Sequence, residues 1–559
     1  MPARAAFRRD LLMAVLLALA LGTAWTWRAW ADLQRLHLPD TDDVVRLQQV
    51  RDWLAGQRFA DVTQYRLADG VPMHWSRLAD LAPAALIRLL APVLGSHMAE
   101  VTAVIAWPLA LFAAALLLVA RIARTLGGTS GGTALAATAA LVAALGYPAT
   151  TLFLPGRIDH HGLQMVLLLG ATLSLLRAGS IAAGAAAGLL AAASLVIGLE
   201  TAALFAMVGA IAIVDWVLGR DGAVARLRGL GLGALAGLLA GRLIFATTAW
   251  DYPACDGFTG EAWRAALAIA PAPLLLVAVD GRVRHVRARI AVTMLVVGAS
   301  GAAALLLSPG CLAPYARIDP LLVRLWLSKV GEAQPLFAAP PAAAIGYAGL
   351  MLAGIGTSAW RLRASPARGW AVLLALQLAA LAVTCDQLRG AYAGALLAAP
   401  GLAAAIGAAR ARGALHVVGA WAASAGMLYP LAADALTPPR PARASARGDC
   451  ASPAMAAALD RLPPGLVIAP VDTGAWLLAA THRHFLAAPY HRDGAGDLAA
   501  YRFYLGDARA AEAVADRWHA RYWLRCDAMP SPARATGLPG WRVTANLPDG
   551  ATIWTRDDR

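Results

Sequence analysis

The sequence predicts a polytopic α-helical membrane protein of about thirteen transmembrane helices, followed by a C-terminal extracytoplasmic α/β domain. Three observations predict it. Of 559 residues, 59% are hydrophobic and 15% charged, with a mean hydropathy of +0.59; a soluble globular chain is roughly half apolar and about a quarter charged. The charges cluster, leaving Ala/Leu/Val-rich runs of about twenty residues, enough to cross a hydrocarbon core about 30 Å thick. The net charge of +14 comes almost wholly from arginine, and those arginines gather in alternate short loops. Such a bias reads as membrane topology and argues against a nucleic-acid partner.

The first apolar run, about residues 11–30, follows Arg4, Arg8 and Arg9. It is too long for a cleaved leader, and Trp25, Trp27 and Trp30 form an interfacial belt at its far end. It is expected to stay, with its N-terminus in the cytoplasm. Further spans are expected near 101–121, 133–150, 162–178, 180–198, 200–218, 229–247, 264–280, 290–308, 341–360, 369–385, 392–409 and 413–433. Alternation then assigns to the cytoplasm the loops holding Arg121 and Arg124, Arg177, Arg220 to Arg228, Arg282 to Arg289, Arg361 to Arg368, and Arg410 and Arg412. An odd number of spans leaves everything after about residue 434 outside. Residues 1–433 thus form a transmembrane domain with a large first external loop (31–100), and residues 434–559 a periplasmic domain of an inner-membrane protein.

That domain follows a Pro438-Pro439-Arg440-Pro441 hinge. Val467–Val471, His484–Tyr490 and Tyr522–Cys526 read as strands, Gly474–Ala480 and Ala508–Ala520 as helices. The five cysteines show no metal-ligand spacing. A Cys255–Cys311 or Cys450–Cys526 bridge requires those segments to face an oxidising compartment.

Five groups of chemically capable residues fall on the external face. Asp40, Asp42 and Asp43 precede a helical stretch from Val44 to Leu54. Carboxylates so close repel unless a cation or a helix N-terminus compensates, so they are either an acidic cap, with Asp42 or Asp43 at the N-cap, or a metal site or catalytic base. Asp159-His160-His161 lies at the mouth of a span, where oxygen with an imidazole suits Mn2+ or Mg2+ and the bland alternative is a polar interfacial turn. Glu332 sits in a loop of about thirty residues, long for a structureless connection, beside Lys329, the single lysine of the chain. Arg389 could fork onto a phosphate or pair with Asp386. Asp472-Thr473-Gly474 ends a strand-like run, as a tight turn or as a polar group presented at a site. The arginine counts, not the motifs, put all five on one face.

In this order the motifs resemble the catalytic subunit of the oligosaccharyltransferases, within the GT-C membrane glycosyltransferases. Asp40 through Arg46 resembles the family's first-loop Asp motif, and Asp159-His160-His161 stands where the second acidic motif would. Val330-Gly331-Glu332-Ala333-Gln334-Pro335 is similar to the fifth-loop signature. Arg389 takes the place of the arginine that holds lipid-linked phosphate, and Asp472-Thr473-Gly474 that of Asp-Tyr-Gly. Three departures stand out. Ala469, Pro470 and Val471 replace the paired tryptophans of the sequon-reading element, Thr473 replaces its tyrosine, and His161 stands where a second carboxylate is usual.

The resemblance implies a GT-C-like fold and an inverting glycosyl transfer from a polyprenyl-phosphate or polyprenyl-pyrophosphate sugar donor to an acceptor protein, lipid or glycan. Asp159, His161 and Glu332 would hold a divalent metal (Mn2+ or Mg2+), and Arg389 the donor phosphate. A carboxylate of Asp40, Asp42 or Asp43, with Glu332, would be catalytic, and Asp472, Thr473 and Gly474 would bind the acceptor. Two other readings compete: a transporter or flippase of a lipid-linked or anionic envelope substrate, for which Glu200 is the ambiguous intramembrane group, and a non-catalytic scaffold binding envelope partners.

Overall fold

The structure is a computed structural model that describes residues 2–313, 315–436, 450–526, 538–548 and 550–557. The Pro438–Pro441 hinge expected from the sequence lies outside the described residues. Helix α1 (Pro2–Gln34) crosses to the first loop, which carries α2 (Thr41–Leu54), the two-stranded β1 (Thr63–Gln64) and β2 (Val71–Pro72), and α3 (Arg77–Leu94). The helical body continues with α4 (Ser96–Ala144), α5 (His161–Leu176), α6 (Ile181–Ile197), α7 (Ala202–Val217) and α8 (Ala223–Phe245). Next come α9 (Gly260–Ile269), α10 (Ala272–Val279), α11 (Val286–Leu307), the short α12 (Pro320–Leu325), α13 (Pro341–Ala364), α14 (Arg368–Asp386), α15 (Gly390–Ala409), α16 (Ala414–Ser424) and α17 (Leu428–Leu436).

Among the described residues, eight helices are long and apolar enough to cross a membrane. Four shorter apolar helices (Gly131–Ala144, α5, α6 and α7) and the pair α16–α17, bent by 86°, bring the apolar helical segments to thirteen. The chain is a multi-pass membrane protein. Two boundaries differ from expectation. The run expected at 133–150 joins its predecessor in one helix broken at Gly128, whose φ of 63° takes the backbone out of the helical basin. The run expected at 413–433 is bent in two.

Helix α15 is the hub of the bundle: residues Gly390 to Ala403 are buried throughout, packed among α4, α13 and α14. Helices α6 and α8 meet backbone to backbone. A Cβ at Gly184 would lie 2.0 Å from the Arg226 carbonyl oxygen, and one at Gly233 would lie 2.3 Å from that of Ala185. Small residues at such spacing let apolar helices approach closely where lipid supplies no hydrophobic drive.

The C-terminal part holds α18 (Pro453–Arg461), β3 (Leu466–Ile468), α19 (Val471–Ala480), β4 (His484–Phe485), α20 (Gly494–Leu505), α21 (Ala508–Arg517), β5 (Ala520–Arg525), β6 (Trp541–Asn546) and β7 (Thr552–Arg556). These strands make a five-stranded mixed sheet in the order β4-β3-β5-β7-β6, parallel across β4-β3-β5 and antiparallel beyond. Helices α18 and α20 and strands β6 and β7 had no counterpart in the sequence reading. Both disulfides that the sequence left open are present, Cys255–Cys311 with Cα atoms 4.8 Å apart and Cys450–Cys526 with 5.8 Å.

The sheet is docked on the first loop. Phe485 N–H donates to the Arg66 carbonyl (2.9 Å) and Ala68 N–H to that of Phe485 (2.8 Å), so the loop extends the sheet past β4. His37 stacks on Trp476 at 4.1 Å, and Arg51 donates to the Ala479 carbonyl at 2.8 Å. A third tie joins Arg492 to Asp256, beside the Cys255–Cys311 bridge, in a two-pronged ion pair with bonds of 2.7 and 2.8 Å. Helix α2, which carries the acidic motif, is therefore clamped between the bundle and the C-terminal sheet region.

Candidate functional site

The first-loop motif begins with Asp40. Its carboxylate accepts from the Asp42 N–H at 3.1 Å and makes Asp40 the N-cap of α2. This corrects the expected cap at Asp42 or Asp43: both lie in the first helical turn, where the helix dipole favours negative charge. Asp40 also pairs with Arg157 at 2.8 Å. One turn in, Asp43 is fully buried; its Oδ1 accepts from the Asp159 N–H at 2.7 Å, and Oδ2 stands 3.2 Å from Arg157. Burial pushes the Asp43 carboxyl up to about 7 even though Arg157 pulls the other way. Burial, and then the charges of Asp40, Asp159 and Glu332, raise Asp42 well above the usual carboxylate range.

The second motif packs against the first. Asp159 Oδ1 accepts from the His160 N–H at 2.6 Å, and Oδ2 lies 3.4 Å from His161 Nε2. The same His161 Nε2 lies 3.4 Å from Glu332 Oε1, so one imidazole nitrogen faces two carboxylates brought from positions far apart in the chain. Burial opposes ionisation of Asp159, yet His160, His161 and Arg46 hold it well below its ordinary value. Glu332 is likewise held down, to about 2, by His161 and Arg389 against the cost of burial. Its carboxylate accepts from the Tyr392 hydroxyl at 2.9 Å and meets Arg389 at 3.7 Å, while the Arg389 N–H donates to the Glu332 carbonyl at 3.0 Å.

The chemistry of the donor set, two carboxylates and an imidazole, fits a divalent cation. Asp159 Oδ2 and Glu332 Oε1 each lie 3.4 Å from the same nitrogen, His161 Nε2. Ligands about 2.1 Å from an octahedral ion stand roughly 3 Å apart, and a set of carboxylate oxygens with imidazole suits Mg2+ or Mn2+. The three groups whose ligand atoms all lie within 4.8 Å of one another are Asp159, His160 and His161, with Glu332 next to His161.

Two cavities flank the Glu332–Arg389 contact. One, of about 750 Å³, is lined by Asp40, Asp42, Arg157, Lys329, Glu332 and Asp472, among others. The other, of about 390 Å³, is lined by Glu200, Asp256, Tyr315, Asp386 and Arg389. Three of the five groups read from the sequence, through Asp40 and Asp42, Glu332 and Asp472, thus line one space; the other two, Asp159-His160-His161 and Arg389, join it through Glu332.

The Asp472-Thr473-Gly474 group is only partly there. It forms the first turn of α19, not a strand end or a tight turn. Asp472 lines the larger cavity. Thr473 is buried and does not line it, and Gly474 packs so tightly that a Cβ would meet the Ala487 carbonyl oxygen at 1.9 Å. Arg389 pairs with Glu332, not with Asp386.

Sequence reasoning missed the roles of His160, Glu200, Arg157 and Arg46. His160 Nε2 lies 3.0 Å from Glu200 Oε1, and Gln164 donates to Glu200 at 2.9 Å. Arg46, fully buried, pairs with Asp80 at 3.0 Å and lies 3.6 Å from Asp159. A carboxylate between two apolar runs was the one visible signal for Glu200.

Neither a protein-family model nor a curated protein sequence matches the chain. Solved structures do. The chain superposes on the oligosaccharyltransferase of the archaeon Archaeoglobus fulgidus in its apo form with a TM-score of 0.62, at 16% identity, over 93% of this chain and 69% of that one. It has the fold of an oligosaccharyltransferase. The same archaeal enzyme, AglB, in complex with an inhibitory peptide and a dolichol-phosphate, gives a TM-score of 0.63 at 16% identity over 93% and 69% of the two chains. Its complex with Zn and sulfate gives 0.58 at 16% identity over 92% and 67%. The oligosaccharyltransferase resemblance read from motif order therefore holds at the level of fold, despite the lost Trp pair.

Proposed function

We propose that this chain is a membrane glycosyltransferase that moves a sugar or oligosaccharide from a polyprenyl-phosphate or polyprenyl-pyrophosphate donor to an acceptor, with inversion. The observation that carries it is the run of contacts Asp159–His161–Glu332–Arg389 at one end of an apolar helical bundle, with Glu332 and Asp42 lining one cavity there. The AglB structures with dolichol-phosphate and with a tethered acceptor peptide support a donor and an acceptor of those kinds.

A divalent metal, Mn2+ or Mg2+, bound by Asp159, His161 and Glu332 would supply Lewis-acid stabilisation of the departing phosphate. The remaining work falls to side chains. Tyr392 and Arg389 fix the Glu332 carboxylate, and Arg389 also faces the smaller cavity, where it can meet a phosphate oxygen. Asp43 is spent on the Asp159 backbone, and Asp40 on the cap and Arg157. Asp42 lines the open cavity with its proton affinity raised, which suits it to receive the acceptor's proton as the glycosidic bond forms. The docked first loop and soluble part exclude water that would hydrolyse the donor.

Residues 1–433 would form the catalytic membrane domain and 434–559 the extracytoplasmic domain, in an inner-membrane protein with a cytoplasmic N-terminus. The test is transfer from a radiolabelled polyprenyl-phosphate sugar by the purified protein in nanodiscs. Activity that is lost with a chelator, restored by Mn2+ or Mg2+, and absent from Asp42→Asn is expected. Counterflow of the intact lipid-linked sugar with no covalent product would replace the enzyme with a flippase.

A further inference from the structure

The end of the bundle opposite the carboxylates, the end that the arginine loops assign to the cytoplasm, contains a second built site. Helix α5 starts at His161 and ends at Leu176; at 1.5 Å per residue the two ends are about 24 Å apart. Beyond that far end lies a cavity of about 340 Å³, lined by Thr125, Arg177, Arg220, Asp221, Arg226 and Arg368, among others.

Its core is Asp215, 1% exposed. Arg220 and Arg226 each donate to it at 2.9 Å, and Arg368 donates through Nε at 2.9 Å and through Nη2. One carboxylate cannot neutralise three guanidinium groups. Arg177 adds another positive charge at the rim, and Asp221 is the only carboxylate among the lining residues. A lone ion pair would be self-sufficient; this cluster keeps an excess of positive charge in a partly enclosed space, where attraction for an anion is strong.

Two further features point at a ligand. Arg226 is buried, with Nη1 on Asp215 and Nη2 on the Arg177 carbonyl (2.8 Å), yet its Nε has no hydrogen-bond partner among the described residues. Helix α14 begins at Arg368, and Gly369 and Trp370 of its first turn line the cavity, which brings the positive end of a long helix dipole to the same space.

We propose that this cavity binds a phosphate group, with Arg177, Arg220 and Arg226 as its cationic partners and the α14 N-terminus at its base. A phosphate diester of an anionic lipid and a free phosphate offer the same oxygens; basic pockets between helices at this level of a membrane receive lipid head groups.

The experiment uses the full chain in detergent, with two arms. In the first, native mass spectrometry follows titration with phosphatidylglycerol or with phosphatidylcholine. In the second, thermal unfolding is followed with inorganic phosphate against sodium chloride at equal ionic strength. The variant is Arg177→Gln/Arg220→Gln, which leaves Asp215 with Arg226 and Arg368 and so preserves the buried pairing. Preferential retention of phosphatidylglycerol, weakened roughly tenfold in the variant, supports the lipid source. A phosphate-specific rise in the unfolding midpoint, lost in the variant, supports the soluble source. Equal binding of both lipids with no effect of phosphate, or binding unchanged in the variant, overturns the proposal and leaves a purely structural ion cluster.

Discussion

The two ends of the helical bundle use the same side-chain types in opposite proportion. At one end Asp40, Asp42, Asp43, Asp159, Glu200 and Glu332 outnumber Arg46, Arg157 and Arg389, with His160 and His161 between them. At the other, Arg177, Arg220, Arg226 and Arg368 outnumber Asp215 and Asp221. Burying like charges together is costly, and pairing removes the cost only when the counts match. Where they do not, the balance must come from outside the chain. The acidic end suits a cation and the basic end an anion, so the sign of the excess at each end tells what chemistry it can accept.

The largest expected effect concerns the acidic end. Glu332→Gln keeps a group for the Tyr392 hydroxyl but removes one charge beside His161, and Asp159→Asn removes the other. Each should lower sugar transfer by roughly 10²- to 10³-fold, measured as product formed by folded protein; transfer at the wild-type rate would dissolve the contrast between the ends. Next is stability. Asp215→Asn leaves three arginines without their buried counter-charge and should cost about 3–5 kcal/mol, read from denaturant unfolding in detergent. Asp42→Asn removes a repelled carboxylate and should leave the unfolding midpoint unchanged or higher. If both variants unfold alike, charge excess is not what separates the two sites.

The same contrast recurs in miniature where the soluble part docks. Arg492 and His491 hold Asp256 well below its ordinary range against burial, so its contribution is complete above the unfolded value of about 4 and is lost as the pH falls. Burial, with Asp493 next, raises Asp497 well above its ordinary range, and neither of its oxygens has a hydrogen-bond partner among the described residues. Above about pH 4 the unfolded chain releases this proton while the folded one keeps it, so stability declines as the pH rises toward the folded value. Asp256→Asn should therefore flatten the acid side of a melting-temperature profile. Asp497→Asn should flatten the neutral side and raise the melting temperature at pH 7. The smallest effect is expected for Arg220→Gln, whose side chain is 39% exposed: less than about 1 kcal/mol, from the same unfolding curves.

Much of this was legible in the sequence, and the rest shows where residue patterns stop. Long apolar runs announce themselves because lipid tolerates no unpaired backbone, and alternating arginines sorted the acidic groups to one face. The cap went to Asp40 because the true N-cap precedes the first helical turn, a difference of two residues that composition does not carry. His160 and His161 are neighbours with different partners, Glu200 and Glu332, since successive residues at a helix start point in different directions. Nothing local could tell which faced which. Strand β6 escaped because it is mostly exposed, although Trp541 to Asn546 alternates apolar and polar residues; β7, of five residues, is the shorter of the pair. Gly474 was misplaced because its packing partner, Ala487, belongs to a different segment.

The glycine contact between α6 and α8 has a consequence for the molecule as a machine. Gly184, Gly188, Gly229 and Gly233 leave no side-chain layer to slide or deform, so these two rods move as one. Glu200 follows the end of one rod and Arg226 stands near the start of the other. A single methyl wedge at Gly188 would pry the pair open, and the disturbance would be felt at both mouths of the protein together.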